Sequence, residues 1–298
     1  MCEQEQTPRV DLMGCVISDE CRVFSEDIAE QASQRLLLEA DLRRSIEREE
    51  LKLVYQPKVD LQTMDWVGVE ALMRWESPDR QRIGPDRFIP VAEESGFIIE
   101  LGQWAIAEAC RAAMRWYGEH GKWLHVAVNV SPIQVERPDF VEMVLDTVSQ
   151  TKMPPSNLEI EITETQFMQH IDGFAPKLQA LRDQGIRVSI DDFGTGYSCL
   201  GALQNLPIDS LKIDRCFVTN LDESLVGSEK NRGLFGSIVH LANAMELHTV
   251  AEGIETPQQL AIARRLGAEI GQGYYFAKPL EEAALSAAFM AAGTHAGE

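Results

Sequence analysis

The sequence predicts an α/β fold that closes into a barrel. Between residue 51 and about residue 279, short β-like runs alternate with amphipathic stretches of helical composition and length. This alternation is typical of repeated βα units rather than of an all-α or sandwich fold. Eight β-like runs can be counted, which is the number that closes a barrel. A Rossmann arrangement is the weaker alternative, because no G-x-G-x-x-G opens a helix after a first strand.

The elements divide the chain into four predicted segments. Residues 1–24 lack clear periodicity, and residues 25–49 are predicted to form a lead-in or linker helix. Ser25 can cap this helix, and acidic residues in its first turn favour the positive helix end. The barrel is expected over residues 50–290, followed by a flexible tail over 291–298. The β-like runs are 52–56, 66–72, 125–131, 158–163, 187–191, 210–214, 249–253 and 267–271, and the helical stretches between them include 87–96, 101–117, 140–151, 174–184 and 234–245.

Composition and charge limit the classes of partner. The 298 residues are 45% hydrophobic and 25% charged, as in an ordinary globular protein that buries a full core. The formal net charge of −20 argues against nonspecific binding to DNA, RNA or an anionic membrane. An anionic ligand would therefore need a local positive charge at its site, which a dication held by clustered carboxylates could supply.

The six cysteines form no C-x-x-C pair and no disulfide framework, so we expect reduced thiols in a cytoplasmic protein. The N-terminus has no basic start followed by an apolar block, and no segment approaches 18 uninterrupted apolar residues. We therefore predict neither an export signal nor a membrane span.

Side-chain alternation along the predicted strands points ionisable groups into the barrel. In the run 158–163, Ile160 and Ile162 suit the helix layer, which leaves Glu159 and Glu161 on the inner face. The same alternation places further polar residues inward near the carboxyl ends of their strands: Glu70, Asn129, Asp191 and Lys212. That end of such a barrel hosts the active site.

These inward residues predict a metal site. Any one carboxylate is explained equally well as a paired structural charge. A repetition on five strands is harder to explain by structural pairing, because each buried charge without a partner costs free energy. The converging residues are Glu70, Asn129, Glu161, Asp191, Asp192 and Glu252. Oxygen ligands without His or Cys favour Mg²⁺ or Mn²⁺ over zinc, and the six histidines are expected to have surface or packing roles.

A series of motifs resembles the EAL domain family. The segment 68–75 reads GVEALMRW, and Tyr55-Gln56-Pro57 precedes it. The later motifs follow in family order: Asn129-Val130-Ser131, Glu161-Ile162-Thr163-Glu164, the segment DDFGTGYS at 191–198, Leu211-Lys212-Ile213-Asp214, the segment AEGIE at 251–255 and Gln272-Gly273-Tyr274. Together they span about residues 51–280.

The resemblance implies a TIM-like (β/α)8 barrel whose first strand is antiparallel to the others. It implies a phosphodiesterase that opens cyclic di-GMP to linear 5'-pGpG with two Mg²⁺ or Mn²⁺ ions, with Ca²⁺ expected to be inhibitory. By resemblance, the metal ligands are Glu70, Asn129, Glu161, Asp191, Asp192 and Glu252. Lys212 is expected to orient the attacking water or to supply a proton beside it. By the same resemblance, the catalytic residues are Glu70, Lys212 and Glu252.

Further roles follow from the same resemblance. Gln56, Arg74 and Gln272 lie where the family contacts its substrate, and the planar fork of an arginine suits a phosphate. Glu164 and Glu255 are expected to support the site, Glu164 by holding the loop 192–200. This loop contributes to dimer contacts in the family, so a homodimer is expected.

Two alternatives stay open at this stage. The first is a catalytically silent receptor that binds cyclic di-GMP and signals to a partner. The second concerns the chain itself. The stretch 22–49 resembles the connector that follows a GGDEF domain in two-domain relatives, yet this sequence contains no GGDEF domain. An excised portion of a protein with an upstream sensor or GGDEF domain and a natural stand-alone protein are both consistent with it.

Overall fold

The computed structural model describes residues 33–76, 82–196, 206–219, 221 and 228–293. The predicted N-terminal segment 1–24, the first part of the lead-in helix, most of the tail and residues 197–200 of the loop lie outside these ranges. The strands are β1 (Leu51–Asp60), β2 (Trp66–Glu76), β3 (Arg82–Ile83), β4 (His125–Asn129), β5 (Leu158–Thr163), β6 (Arg187–Phe193), β7 (Ser210–Ile213), β8 (His248–Ala251) and β9 (Ile270–Gln272).

Eight of the described strands close into a barrel. Their order is β1-β9-β8-β7-β6-β5-β4-β2, and pairing of β1 with β2 completes the ring. Strand β1 is antiparallel to both of its neighbours, whereas the pairs from β2 through β4 to β9 are parallel. The short β3 extends the far end of β2 as an antiparallel strand. The predicted barrel and its antiparallel first strand are thus confirmed.

The direction of β1 follows from the turn that joins it to β2. Only residues 61–65 separate the two strands, which is enough for a hairpin but too short for a parallel crossover. The carboxylate of Asp60 stabilises this turn by accepting hydrogen bonds from the backbone N–H groups of Gln62 (2.7 Å) and Thr63 (2.8 Å).

Helices cover the outside of the barrel. They are residues 33–45, Pro85–Glu94, Ile98–His120, Pro132–Glu136, Phe140–Thr151, Glu164–Gln169, Ile171–Asp183, Arg215–Thr219, Ser228–Ala244, Pro257–Arg265 and Glu282–Gly293. The outward side chains of the strands pack against them, and Val126, Ile160 and Val188 are completely buried in one hydrophobic cluster with Leu178 of a surrounding helix. None of the described helices has the length and apolarity that crossing a bilayer requires.

The predicted element types agree with the structure, and most differences lie at the ends. Strand β5 coincides with the predicted run 158–163, whereas the last run, placed at 267–271, is observed at Ile270–Gln272. Gly267 has a φ of +91°, so it belongs to the turn after a helix rather than to a strand. The described part of the lead-in helix buries Leu42 in a cluster with Trp75 and Phe88 of the barrel unit.

Candidate active site

The predicted site residues meet at the carboxyl end of the parallel strands. Each lies on a strand or directly after one, so the closed sheet brings residues that are distant in sequence to one end of the barrel. Their positions are Glu70 on β2, Asn129 on β4, Glu161 on β5, Asp191 and Asp192 on β6, Lys212 on β7, Glu252 directly after β8, and Gln272 on β9. Gln56 of β1 pairs in register with Glu70.

The ammonium group of Lys212 lies at the centre of this cluster. Its Nζ atom is 2.8 Å from Glu252, 2.9 Å from Glu161, 3.0 Å from Asp191 and 3.5 Å from Glu70. The lysine side chain is almost completely buried. Burial alone would lower the pKa of Lys212, but the surrounding carboxylates outweigh it and raise the pKa well above the ordinary value. Lys212 is therefore a fixed cation among the carboxylates.

The carboxylates fall into two overlapping groups that could each hold a metal ion. The first consists of Glu70, Glu161 and Asp191, and the second of Asp191, Asp192 and Glu252. Within each group the potential ligand atoms lie within 4.8 Å of one another. All of these donors are carboxylate oxygens, which suit a hard dication such as Mg²⁺ or Mn²⁺. Because Asp191 belongs to both groups, it could bridge two ions.

An irregularity in β6 explains how two consecutive residues both contribute. Neighbouring residues of a regular strand point to opposite faces. The register between β6 and β7 shifts between Ile190 and Phe193, and Asp192 has a φ of +54°. This left-handed conformation is uncommon for a residue with a side chain and more accessible to Asp than to most others. It allows Asp191 and Asp192 to serve the same site.

The carboxylate of Glu70 is held by two amide side chains. Asn129 Nδ2 donates to one oxygen of Glu70 at 2.7 Å, and Gln272 Nε2 donates to the other at 2.6 Å. Gln272 Nε2 also lies 3.1 Å from Gln56 Oε1. The Oε1 atom of Gln272 is buried and has no hydrogen-bond partner among the described residues. Two predicted residues thus fix the orientation of Glu70, and a third, Gln56, contacts Gln272.

Local charge separates the acidities of the carboxylates. Burial raises the pKa of Glu252 to about 8, and Lys212 offsets this only in part. Burial acts in the same direction on Glu161, but Lys212 and Lys58 together outweigh it and lower the pKa to about 2. The two glutamates share Lys212 and differ because Glu161 alone contacts a second lysine. The pKa of Glu70 is raised by burial and by the neighbouring Glu161.

A second buried network contacts the oxygen of Glu161 that Lys212 does not contact. The Nζ atom of Lys58 on β1 is 2.7 Å from Glu161 Oε1 and 2.9 Å from Glu159 Oε1. Alternation along β5 predicts Glu159 on the inner face, whereas Lys58 is not among the predicted site residues. Alternation along β1 could have identified this lysine as inward, because Lys58 follows the inward Gln56 by two residues.

Glu164 holds the start of the loop that follows β6. Its Oε2 atom accepts hydrogen bonds from the backbone N–H groups of Gly194 (2.8 Å) and Gly196 (3.4 Å). Gly194 has a φ of +97°, and a side chain there would collide with Phe217. The described part of the loop is thus tied to the helix that follows β5.

A pocket of about 250 Å³ opens at the carboxylate cluster. Its walls include the predicted Glu255 together with Arg215 and Tyr274, which are not among the predicted site residues. Arg74 does not line this pocket. It lines an adjacent, more apolar pocket that also contains Leu72 and Asn129. Asn129 therefore lies beside both the carboxylates and the second pocket.

Comparison with known proteins places this geometry in a family. A sequence model described as EAL domain matches residues 39–279. The cyclic di-GMP phosphodiesterase NbdA of Pseudomonas aeruginosa is 39% identical over 262 residues, which cover 88% of this chain and 33% of that protein. The bifunctional diguanylate cyclase/cyclic di-GMP phosphodiesterase MucR of the same organism is 38% identical over 258 residues, or 86% of this chain and 37% of that protein.

Solved structures agree with the sequence comparison. The structure of the PaMucR phosphodiesterase in complex with c-di-GMP has a TM-score of 0.79 and 38% identity, and the match covers 84% of this chain and 99% of that one. The chain spans about a third of the length of the curated relatives that it matches. On the family match, the sequence identity and the shared barrel, the chain belongs to the EAL domain family.

Proposed function

We propose that this chain is a metal-dependent phosphodiesterase that hydrolyses cyclic di-GMP to linear 5'-pGpG. One observation carries the proposal. Two clusters of carboxylate side chains, which have Asp191 in common, surround the buried Lys212 at the open end of the barrel. Relatives with 38–39% identity are named cyclic di-GMP phosphodiesterases, which supports the same substrate here. Hydrolysis would thereby lower the concentration of this second messenger.

The two ligand groups support a proposal for two ions. We propose that Glu70, Glu161 and Asp191 hold one Mg²⁺ or Mn²⁺ ion and that Asp191, Asp192 and Glu252 hold the other. The amide oxygen of Asn129 is proposed as a further ligand of the first ion. Bound dications would lower the pKa of a water molecule and neutralise charge on the phosphoryl group. Ca²⁺ is expected to support binding but little turnover, because its looser coordination places a water molecule less well.

The reaction adds one water molecule across one phosphodiester bond. The water oxygen forms a bond to phosphorus, the bond from phosphorus to O3' breaks, and the proton balance is completed on the released 3' hydroxyl. The phosphate stays on the 5' oxygen, which gives pGpG. Lys212 would orient the attacking water and hold or deliver a proton, while Glu70 and Glu252 complete the catalytic set.

Three polar side chains are proposed to bind the substrate. Gln56 and Gln272 are hydrogen bonded to each other beside Glu70, so they can present a fixed amide edge to the nucleotide. Arg74 donates to the backbone carbonyl of Met73 at 2.8 Å, which leaves other N–H groups of its guanidinium for a phosphate. Glu164 and Glu255 would act indirectly, by supporting the loop and the pocket wall.

A catalytically silent cyclic di-GMP receptor is the second candidate. The specific observation in its favour is that the ammonium group of Lys212 contacts four carboxylates and so holds them together by itself. A site held in this way could bind nucleotide and transmit a signal without hydrolysis. Tight binding of cyclic di-GMP together with no hydrolysis in Mn²⁺ would favour the receptor over the enzyme.

The experiment is a hydrolysis assay in Mg²⁺, Mn²⁺, Ca²⁺ and EDTA, with nucleotides separated by chromatography. The enzyme proposal expects pGpG with Mg²⁺ and Mn²⁺, and bound but largely intact substrate with Ca²⁺. Folded protein that forms no pGpG in either Mg²⁺ or Mn²⁺ would contradict it. Calorimetric titration with cyclic di-GMP in Ca²⁺ then distinguishes a receptor from a chain that does not bind the nucleotide.

The remaining proposals concern assembly and context. We propose a homodimer formed through the barrel helices beside the loop 192–200, and light scattering that showed a fully active monomer at all concentrations would contradict it. The greater length of the relatives supports an upstream sensor or GGDEF domain as partner. The barrel unit 50–290, the lead-in helix 25–49 and a cytoplasmic location stay predictions.

A further inference from the structure

Lys58 and Glu159 form a buried charged pair outside the metal-ligand groups. The side chains of Lys58 and Glu159 are 5% and 10% exposed, and that of Glu161 is 0% exposed. Lys58 reaches from β1 across the barrel interior to β5, because the two strands are not neighbours in the sheet. A cation that spans the barrel in this way can fix the position of what it contacts.

The two oxygens of Glu161 have different partners. Oε1 accepts from Lys58 at 2.7 Å, and Oε2 accepts from Lys212 at 2.9 Å. Lys58 in turn is anchored by Glu159 Oε1 at 2.9 Å. Rotation of the Glu161 carboxylate would break the bond to Lys58, so Oε2 is held towards the carboxylate cluster. Outer partners of this kind orient metal ligands and tune metal affinity.

We infer that Lys58 and Glu159 are positioning residues that hold Glu161 for metal binding, an inference that rests on the proposed function. Neither residue lines the pocket at the carboxylates. They act through Glu161, and they set how well the ion at Glu70, Glu161 and Asp191 is bound.

If only the charge of Lys58 mattered, its removal would change the metal affinity in the opposite direction. The direction of the change therefore tests the inference. Removal of a buried positive charge near the ligands should by itself strengthen the binding of a dication. Loss of a positioning contact should weaken it, by about 10–100-fold for typical outer partners of metal ligands. Weaker metal binding after removal of Lys58 therefore separates positioning from simple charge balance.

The chain offers a matched control on the same strand. Lys52 also bridges two glutamates, with Nζ 2.9 Å from Glu76 and 3.0 Å from Glu281, but its side chain is 37% exposed. Lys52→Met thus makes the same substitution in β1 and breaks a similar pair of contacts. It leaves Glu161 untouched.

The test measures Mn²⁺ binding to the EDTA-treated, nucleotide-free chain by calorimetry. The variants are Lys58→Met, Lys52→Met and the double variant Lys58→Met/Glu159→Leu. The double variant removes one positive and one negative charge, and apolar replacement of a buried ion pair is often neutral for stability. We expect Mn²⁺ binding at the Glu161 site to weaken about 10–100-fold in both Lys58 variants and to stay within about twofold in Lys52→Met.

A second readout concerns hydrolysis. The Mn²⁺ concentration at half-maximal activity should rise by a similar factor in the double variant. The KM for cyclic di-GMP at saturating Mn²⁺ should change little, because neither residue is proposed to touch the nucleotide. A general loosening of the barrel would instead raise KM as well.

The outcomes separate this inference from the function on which it rests. Unchanged or tighter Mn²⁺ binding in the folded double variant would overturn the positioning role while wild-type hydrolysis stands. A double variant that does not fold would assign the pair to the fold itself and contradict the inference too. Wild-type protein that binds no Mn²⁺ and forms no pGpG would remove the proposed function and this inference together.

Discussion

The Nζ atom of Lys212 lies 2.9 Å from Oε2 of Glu161, and both side chains are almost completely buried. Three further carboxylates lie within 3.5 Å of the same ammonium group. Without a metal ion, Lys212 is therefore the cation that contacts all four of these carboxylates. Ions bound at the same carboxylates would share these contacts.

Lys212→Met should destabilise the metal-free protein by about 3–5 kcal/mol, because it leaves buried carboxylates without their cation. Saturating Mn²⁺ should recover much of this stability, since the ions would replace the missing charge, whereas hydrolysis should not return. Urea denaturation in EDTA and in Mn²⁺ measures the effect. A metal-free variant as stable as the wild type would contradict this account of the cluster.

Glu70→Gln should abolish most hydrolysis and raise the stability of the metal-free chain. Burial, together with the charges of Glu161 and Asp191, raises the pKa of Glu70, so neutralisation relieves an unfavourable charge. Gln272 can turn its amide so that its unpaired Oε1 accepts from the new side chain. Thermal melting in EDTA, combined with the hydrolysis assay, measures both effects.

A control for this substitution lies on the same strand. Glu76→Gln neutralises a carboxylate that pairs with Lys52 at the surface, and its effect on stability should stay within about 1 kcal/mol. If Glu70 were instead a structural partner of a buried cation, Glu70→Gln would lower stability and leave hydrolysis intact. That result would remove Glu70 from the proposed site.

His125 should make stability depend on pH independently of metal. Burial lowers its pKa, and the positive charge of Arg187 acts in the same direction. The folded state therefore disfavours the protonated ring. The resulting stability is present above the unfolded pKa of about 6.5 and is lost as pH falls through that value towards the lower folded pKa.

The measurement compares the wild type with His125→Phe between pH 5 and pH 8. The wild type should lose stability relative to the variant as pH falls below about 6.5. The same difference should appear in EDTA and in Mn²⁺, because His125 belongs to neither ligand group. Parallel curves for the two proteins would show that His125 does not titrate as described.

Much of the site could be predicted because strand alternation is a local property. Glu159 and Glu161 alternate with two isoleucines, so their shared inward face was evident without a structure. The presence of Asp192 beside Asp191 could not be derived from alternation, which places consecutive residues on opposite faces. The register shift and the positive φ of Asp192 are tertiary features that the sequence pattern does not predict.

Side-chain alternation also did not predict the direction of β1 or the role of Lys58. The first run was predicted to end at residue 56, whereas β1 continues to Asp60. The last four residues include Lys58, and alternation by itself does not give the direction of a strand. Pro57 has no backbone N–H and cannot donate to a neighbouring strand. The ladder between β1 and β9 covers only Lys58 to Asp60, so it does not include Pro57.

The most direct test of the proposed function is hydrolysis of cyclic di-GMP in H₂¹⁸O with Mn²⁺, followed by mass spectrometry of the product. Attack of water on phosphorus should give pGpG with one ¹⁸O in its 5' phosphate and none elsewhere, and EDTA should prevent its formation. Folded protein that leaves cyclic di-GMP intact in Mn²⁺, or forms unlabelled pGpG, would contradict the account.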